Sequence, residues 1–335
     1  MKKIIGLIVL MILIIGVLSG CTGNSVENNT GIMENKTEKR SVSTDSKEDT
    51  EIVKWPRTIK DAAGNDVILE KKPERIAVLH AVYLDYFFAL ETPPIASAGA
   101  TIGDAMKALE EFETLRSYKG TANIIDLGSA RDLNLEAILE SRPDVIVTFK
   151  GHIDKVYEEL IKIAPVIQLD VKDTWQNTTV QCASIVGKEE LASKYIEETE
   201  KIISETRKKL STFKDETFAL LRVDGKGNFV ATGYGNSIYY NQMEGFNLLA
   251  PDTYPGSQEV LSLEALSQMN PDYIIFQHFL DVAQAAVESQ ESSTVWKSLN
   301  AVKNNHILFF DDSLNTGSPL AIRLASEKFI KILSD

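Results

Sequence analysis

Polar side chains with binding chemistry follow several apolar runs that have the character of buried strands. Three of the four histidines are among them. The residues are His80, Lys150, His152, Gln277, His278, Asp311 and Asp312. Ligands of open α/β sheets bind outside the carboxyl ends of the strands. We therefore expect these side chains to line one cleft.

Each histidine also has a simpler interpretation. At the end of a strand it can cap a helix or satisfy a backbone group, and for any one residue this explanation is as good as ligand binding. Three such positions together favour a functional cleft. Four further candidates lie in a helical stretch after the first strand, in a strand of the second half, and in a loop after a hairpin: Tyr83, Arg222, Tyr234 and Asn236.

The elements that position these residues are encoded by a motif that occurs twice. Leu-Asn-Leu-Glu-Ala-Ile at residues 133–138 is followed, after four residues, by Pro-Asp and an apolar run, and Leu-Ser-Leu-Glu-Ala-Leu at residues 261–266 repeats this spacing. Each copy predicts a short helix that ends at Pro-Asp and a strand too apolar to be half exposed. Strands buried on both faces belong to parallel sheets covered by helices, so two copies predict two similar lobes.

The rest of the chain continues this α/β alternation, which predicts parallel strands with right-handed crossovers. Residues 58–69 predict a hairpin around an Ala-Gly-Asn-Asp turn. The remaining predicted elements are strand 76–79, helix 83–90, helix 105–115, helix 153–163, strand 165–169, a hairpin of strands 218–223 and 229–232, strand 306–310 and helix 320–333.

One helix stands apart by its length. Apolar residues recur at helical spacing from residue 188 to residue 210, and Gly187 predicts a break before them. Such a helix spans about 35 Å, the length of a domain. It is either one more surface helix or a rod that joins the lobes, and its position midway between the two motifs favours the rod.

The amino terminus predicts export. Lys2 and Lys3 precede an apolar run that is shorter than the roughly 20 residues of a membrane span, and small residues follow before Cys21. The polar stretch after Cys21 has no periodicity and predicts a flexible tether. We therefore divide the chain into a signal peptide (1–20), a tether (21–54), an N-terminal α/β lobe (55–182), a linking helix (183–212) and a C-terminal α/β lobe (213–335).

Composition limits the partners. The formal net charge of −13 argues against nucleic acid, which needs clustered lysine and arginine, and against a surface that lies on anionic lipid. Cys182, the only other cysteine, lies in an apolar stretch and is expected to be a buried small side chain. A reactive thiol or a metal ligand is the alternative for Cys182.

These features together resemble a known family. Leu-Ser-Gly-Cys at residues 18–21 resembles a bacterial lipobox, and the segments 58–67 and 72–79, with both Leu-Glu-Ala…Pro-Asp elements, resemble the ABC-transporter substrate-binding proteins for iron complexes. The resemblance covers nearly all of the chain after Cys21. It implies two Rossmann-like α/β lobes with parallel sheets, joined by a single long α-helix, with the ligand cleft between them (a class III substrate-binding protein).

The same resemblance implies partners and a location. They are an ABC permease with its ATPase, a small-molecule iron complex, and the membrane through lipid on Cys21 at the extracytoplasmic face. A monomer without a resident cofactor is expected. The resemblance also gives Glu136 and Glu264 a role, since in this family one glutamate per lobe at this place in the motif meets arginines of the permease. Both are alternatively simple acids at a helix start, where a carboxylate favours the helix dipole.

Two ligand classes remain open within the resemblance. In the first, Arg222, Lys150 and the histidines meet an anionic ferric siderophore, against which Tyr83 and Tyr234 pack. Asn236 and Asp312 would complete this cleft. No cluster of several arginines is present, which speaks against a highly charged catecholate.

In the second class, the protein binds its metal or cofactor directly. Three histidines and a carboxylate, from His80, His152, His278 and Asp311, would suit zinc or manganese. Haem is a further alternative, with one of these histidines or a tyrosine as axial ligand. We favour the iron complex, because Arg222 and Lys150 would repel a bare cation. An enzyme is not expected, since the sequence has no Ser/His/Asp signature, no paired cysteines and no nucleotide loop.

Overall fold

The computed structural model describes residues 54–99, 105–235 and 237–332. The predicted signal peptide, Cys21, nearly all of the tether and Asn236 lie outside these described residues. Among the described helices, none combines the length and apolar character that a membrane span requires.

The described residues form thirteen strands and eleven α-helices in alternation. The strands are β1 Arg57–Lys60, β2 Asp66–Leu69, β3 Ile76–Val78, β4 Ala96–Gly99, β5 Ile125–Ser129, β6 Asp132–Leu133, β7 Val145–Phe149, β8 Val166–Leu169, β9 Phe218–Val223, β10 Phe229–Ala231, β11 Glu259–Leu261, β12 Tyr273–Gln277 and β13 Ile307–Phe310. The helices are α1 Leu84–Ala89, α2 Ala105–Glu111, α3 Leu135–Glu140, α4 Tyr157–Leu160, α5 Trp175–Val186, α6 Glu189–Leu210, α7 Leu263–Met269, α8 Leu280–Glu288, α9 Thr294–Ser298, α10 Asn300–Lys303 and α11 Pro319–Ile332.

Apart from the separate β1–β2 pair, the strands form one sheet in each half of the chain, as the repeated motif predicts. The N-terminal sheet has the order β6-β5-β4-β3-β7-β8 and is parallel except at the β5–β6 edge. The C-terminal sheet has the order β11-β10-β9-β12-β13. The predicted hairpin at residues 58–69 is confirmed as the antiparallel pair β1–β2.

The C-terminal sheet is mixed, and the predicted hairpin of residues 218–223 and 229–232 is confirmed as its antiparallel pair β9–β10. Only β9, β12 and β13 run parallel, while β10 and β11 are antiparallel to their neighbours. The reason is the short connection after β9, where the Asp224 carboxylate accepts backbone hydrogen bonds from Lys226 and Asn228. A parallel connection needs a crossover of a dozen or more residues, so a turn this tight returns the chain antiparallel.

Each copy of the motif places a strand between parallel neighbours and clamps the chain beside it. Asp144 Oδ2 accepts hydrogen bonds from the backbone N–H groups of Glu74 and Arg75, just before β3. In the other lobe, Asp272 Oδ2 accepts from the backbone and the hydroxyl of Thr217, just before β9. The Pro-Asp pair therefore ends a helix and also fixes the entry of the neighbouring strand.

One predicted helix is shorter than expected, and the predicted long helix is confirmed. Only Tyr157–Leu160 is α-helical within the predicted helix 153–163. The long helix predicted from residue 188 to residue 210 is confirmed as α6, and so is the break at Gly187, which adopts a left-handed conformation with φ of 64° after α5 ends at Val186. The segment 183–212 therefore contains the end of α5 as well as α6. Glycine takes this conformation without a side-chain clash, so it ends α5, and α6 begins two residues later.

The long helix α6 packs against other helices along its course. It contacts α5 on one side and α11 on the other. The guanidinium of Arg323 on α11 lies 3.6 Å from the ring centroid of Tyr195, and its Nε donates to the hydroxyl of Thr199 at 2.8 Å. These contacts tie α6 to the C-terminal helix over more than one turn. The division at residues 182 and 212 stays a prediction.

A buried carboxylate joins the two lobes. Asp85 on α1 accepts a hydrogen bond from the Thr114 hydroxyl at 3.0 Å and one from the Ser318 hydroxyl, just before α11, at 2.5 Å. Beside it, the backbone N–H of Glu113 donates to Asp311 at 3.0 Å. We call these five residues the inter-lobe seam. Burial raises the pKa of Asp85 to about 6, although both hydroxyl bonds oppose the rise.

The cores of the two lobes also interlock across the seam. Trp175, at the start of α5, packs within the core of the C-terminal lobe. In exchange, Phe279 and Leu320 pack against the core of the N-terminal lobe. Separating the lobes would expose these side chains, so we expect small changes in their relative position.

The seam makes a pH-dependent prediction for stability. A pKa raised in the folded state means that Asp85 stabilises the fold below about pH 4 and that this contribution is lost as pH rises through about 6. We expect Asp85→Asn to raise the free energy of unfolding at pH 8 by about 2 kcal/mol and to change it little at pH 4. Urea unfolding across this range measures the difference.

A matched charge change controls this experiment. Asp66→Asn removes an exposed carboxylate of β2 and should not alter the pH dependence of unfolding. A parallel shift of the Asp85→Asn curve at every pH would contradict the prediction, because it would show a packing effect instead of a titration.

Candidate functional site

The N-terminal lobe contains a cavity of about 800 Å³ at the carboxyl edge of its sheet. Its walls come from the loop after β3, from the β5–β6 turn with β6 itself, and from the end of β7 with the segment that follows it. They are His80, Ala130, Arg131, Asp132, Leu133, Phe149, Gly151, His152, Asp154, Lys155 and Val156. Two of the predicted histidines thus share one cavity, and their ring centroids lie 6.3 Å apart.

His152 is held by the protein itself. Its Nδ1 lies 2.5 Å from the Thr148 hydroxyl, its Nε2 lies 2.5 Å from the carbonyl of Ala130, and its ring stacks on Phe149 with a centroid distance of 4.5 Å. Because a carbonyl only accepts, Nε2 carries a proton and donates. Both nitrogens are therefore occupied, and this histidine shapes the cavity wall.

His80 keeps one ring nitrogen without a hydrogen bond to the residues that the structure describes. Its Nδ1 accepts a long hydrogen bond of 3.4 Å from the backbone of Val82. Burial, followed by the nearby His152, lowers the pKa of His80 to about 4. The ring is therefore neutral near pH 7 and, with Nδ1 as acceptor, offers Nε2–H as a donor.

A second cavity, of about 460 Å³, lies between the lobes. The N-terminal lobe contributes residues around Tyr83 and the segment 170–176, and the C-terminal lobe contributes Ser237, Ile238, Asn241, Glu244, Thr316 and Gly317. The ring centroid of Phe149 lies 5.6 Å from that of His80, which lines the first cavity, and 6.5 Å from that of Tyr83, which lines the second. The two cavities therefore adjoin across Phe149.

Trp175 marks this inter-lobe cavity as a binding surface. Its side chain lines the cavity and only 7% of it is exposed. Its indole N–H has no acceptor among the residues that the structure describes. A buried donor without a partner is costly to the fold.

Three predicted site residues meet in the C-terminal lobe. Arg222 on β9 donates to Asp312 at 2.6 Å and to the carbonyl of Gln277 at 3.0 Å. His278 lies close enough to interact with both charges. Its pKa is lowered, first by burial and then by Arg222, with Asp312 opposing the shift. The guanidinium is thus neutralised by a carboxylate of its own lobe.

The alternative metal site does not assemble. His80 and His152 lie in the N-terminal lobe and His278 in the C-terminal lobe, while Asp311 already accepts from Ser313 and Glu113. Within residues 54–99, 105–235 and 237–332, no three His, Cys, Asp or Glu side chains could hold a metal ion together. The four side chains were grouped by their positions after strands, which does not bring them within ligand distance.

Lys150 and Tyr234 lie apart from these contacts. Lys150 is exposed and lines neither cavity. Tyr234 is 52% exposed and lies over Gly256, where an added Cβ would be 3.5 Å from the ring. Asn236 is outside the described residues. Of the predicted site residues, Arg222 and Asp312 are therefore held by a contact with each other, and His80 and Tyr83 both lie beside the ring of Phe149.

Glu136 and Glu264 have matching surroundings. Each is exposed and is the second residue of its helix, α3 or α7. The helix starts are capped in the same way, by Asn134 Oδ1 accepting from the backbone of Ala137 and by Ser262 Oγ accepting from that of Ala265. The two carboxylates are thus free of the cap bonds and face solvent.

Sequence reasoning missed the segment 170–176, including Trp175. This segment follows β8, whose strand was predicted at residues 165–169, so the rule that ligands bind after parallel strands applied to it as well. It contains no histidine or arginine, and for this reason it was not singled out. Phe149, the last residue of β7, was missed for the same reason.

Comparison with known proteins agrees with this geometry. The family model of the periplasmic binding proteins matches residues 76–314. The iron-uptake system-binding protein of Bacillus subtilis is 31% identical over 203 residues, which cover 58% of this chain and 62% of that protein, less than two thirds of its length. The iron(3+)-hydroxamate-binding protein YxeB of the same organism is 26% identical, with 100% of this chain and 97% of that protein covered.

A solved structure shares the fold. Staphylococcus aureus SirA, complexed with staphyloferrin B, is 22% identical, with a TM-score of 0.66 over 83% of this chain and 98% of that chain. The family match spans more than half of the sequence and both sheets. The chain therefore belongs to the periplasmic binding protein family.

Proposed function

We propose that this protein is the lipid-anchored substrate-binding protein of an ABC importer, which captures a ferric siderophore and delivers it to the membrane permease. The observation that carries the proposal is the inter-lobe cavity, which is walled by side chains of both lobes, among them Trp175, whose buried indole N–H has no acceptor among the described residues. A cavity walled by two lobes encloses a small molecule and ties its binding to their relative position.

The surroundings of the cavity favour an intact chelate over a bare ion. The histidines are held by hydrogen bonds within the protein or are neutral, and the part of the chain that the structure describes brings no metal-ligand set together. An iron complex brings its own ligands and needs only packing and hydrogen bonds from the protein. Iron would thus be cargo, and no resident cofactor and no enzymatic activity belong to this proposal.

The permease would contact the outer surface of both lobes. Glu136 and Glu264 occupy the same exposed helix position, one per lobe, so a permease with two basic patches could contact both at once. Such charge pairs determine orientation and speed of docking. We further propose that an ATPase completes the importer, that lipid on Cys21 holds the protein at the extracytoplasmic face of the membrane, and that it acts as a monomer.

Ligand capture predicts a fluorescence change from one tryptophan. In the soluble chain that starts after Cys21, we expect saturable, sub-micromolar quenching by a ferric siderophore and none by free zinc or manganese. Trp175→Phe should remove most of the quenching and weaken binding about tenfold, because the ligand loses the indole donor. Isothermal titration calorimetry measures the affinity of the variant without relying on its fluorescence.

The matched control is Trp296→Phe. Trp296 is buried in the C-terminal lobe beside Phe229 and lines neither cavity near the seam. This variant should retain both quenching and affinity. Tight binding of haem or free metal, with no response to ferric siderophores, would refute the proposed ligand.

Docking predicts a loss of uptake without a loss of capture. We expect Glu136→Ala with Glu264→Ala to lower siderophore-dependent iron uptake by about tenfold in cells that carry the cognate permease. The Kd of the purified variant for the ferric complex should stay the same, because both residues lie outside the cavities.

The control double variant is Glu140→Ala with Glu288→Ala. Both are exposed helix residues, one per lobe, and neither lies in a first turn. Uptake should be unchanged in this variant. Equal losses in the two double variants would indicate a general effect of negative charge and would contradict specific docking.

A further inference from the structure

The cleft has little positive charge to offer an anion. Arg222 donates to Asp312 at 2.6 Å, and the exposed fractions of the two side chains are 16% and 10%. A buried, hydrogen-bonded pair of this kind is costly to break, because either partner alone would be an uncompensated charge. The guanidinium therefore cannot act as a free cation toward a ligand.

The histidines do not supply the missing charge. Burial lowers the pKa of His80 to about 4, and burial with the charge of Arg222 lowers the pKa of His278. Both rings are neutral near pH 7. Both ring nitrogens of His152 are hydrogen-bonded, one to the Thr148 hydroxyl and one to the Ala130 carbonyl.

Charges at the cavity walls do not sum to a positive value. The inter-lobe cavity has three carboxylates, on Asp170, Asp173 and Glu244, against one ammonium on Lys172. The N-terminal cavity has as many basic as acidic side chains, namely Arg131 and Lys155 against Asp132 and Asp154. Residues 100–104 and 236, outside the described ranges, include no lysine or arginine in the sequence.

Neutral surfaces dominate where the lobes face each other. Tyr83, Tyr86, Trp175 and Ile238 provide aromatic and apolar walls, and Asn241 adds an amide. With the indole N–H of Trp175, these groups can pack on a hydrocarbon linker and donate to carbonyl oxygen. They cannot balance a compact multiple negative charge that has lost its water.

We propose that the ligand is a ferric complex of zero or positive net charge, of the trihydroxamate class, and that this cleft discriminates against anionic catecholate and citrate complexes of iron. This inference rests on the proposed function and narrows its ligand. A trianionic complex would meet carboxylates instead of several cations, and like charges in a partly desolvated site oppose binding.

Titration of the soluble chain with complexes of different charge tests this directly. The probes are ferrioxamine B, a monocation, ferrichrome, which is neutral, a trianionic ferric tris-catecholate, and ferric citrate. We expect the hydroxamates to bind at least about 100-fold more tightly than the two anions. The affinity for ferrichrome should vary less than about twofold between low and high salt, because a neutral ligand has no net charge for salt to screen.

The outcomes separate the two proposals. Tightest binding of the tris-catecholate or of ferric citrate would overturn the charge inference and leave the iron-complex receptor intact. Saturable binding of none of the four ferric complexes would overturn the proposed function itself, and the inference with it.

Charge variants test the cause. Asp312→Asn removes the partner of Arg222, and we expect the ratio of tris-catecholate affinity to ferrichrome affinity to rise about tenfold. Glu244→Gln removes an exposed carboxylate of the inter-lobe cavity and should raise the same ratio about threefold, even if the first variant folds poorly. Asp66→Asn, on the β1–β2 hairpin and outside both cavities, should leave it unchanged. An unchanged ratio in Glu244→Gln and in a folded Asp312→Asn would overturn the inference.

Discussion

The arrangement of the two lobes depends on a buried side chain whose hydrogen-bond partners come from both of them. Asp85 takes one hydrogen bond from Thr114 and one from Ser318, which lies more than two hundred residues away in the sequence. Trp175 and Phe279 cross the same boundary in opposite directions. Because polar and apolar contacts share this boundary, the walls of the cleft are held in register before a ligand arrives, which lowers the cost of ordering them.

Within each lobe, the same device sets the sheet. The aspartate of the Pro-Asp pair bonds to the chain that enters the adjacent strand, through Asp144 in one lobe and Asp272 in the other. In both sheets these bonds act at the amino ends of the strands, and they thereby fix the register of the carboxyl ends. Side chains that follow β3, β7 and β8 line the two cavities as a consequence of this register, as expected for open α/β sheets.

Several candidate binding groups of the cleft already have hydrogen-bond partners within the protein. His152 and Arg222 have the residue types of an anion or metal site, but each is held by partners within the protein. Among the described residues of the cleft, the indole N–H of Trp175 and the Nε2–H of His80 are donors without a partner. A receptor with such a surface selects by shape and by a few hydrogen bonds, and it leaves the charge of iron to be neutralised by the chelator.

The sequence by itself determined the two α/β lobes, the hairpins, the long helix and the strand ends at which a site had to lie, because these follow from local periodicity and from one repeated motif. It did not determine which strand-end residues are available. Arg222 and Asp312 are 90 residues apart, and the bonds of His152 reach back to Ala130. Only tertiary structure brings such partners together, and their pairing decides whether a side chain supports the fold or meets a ligand.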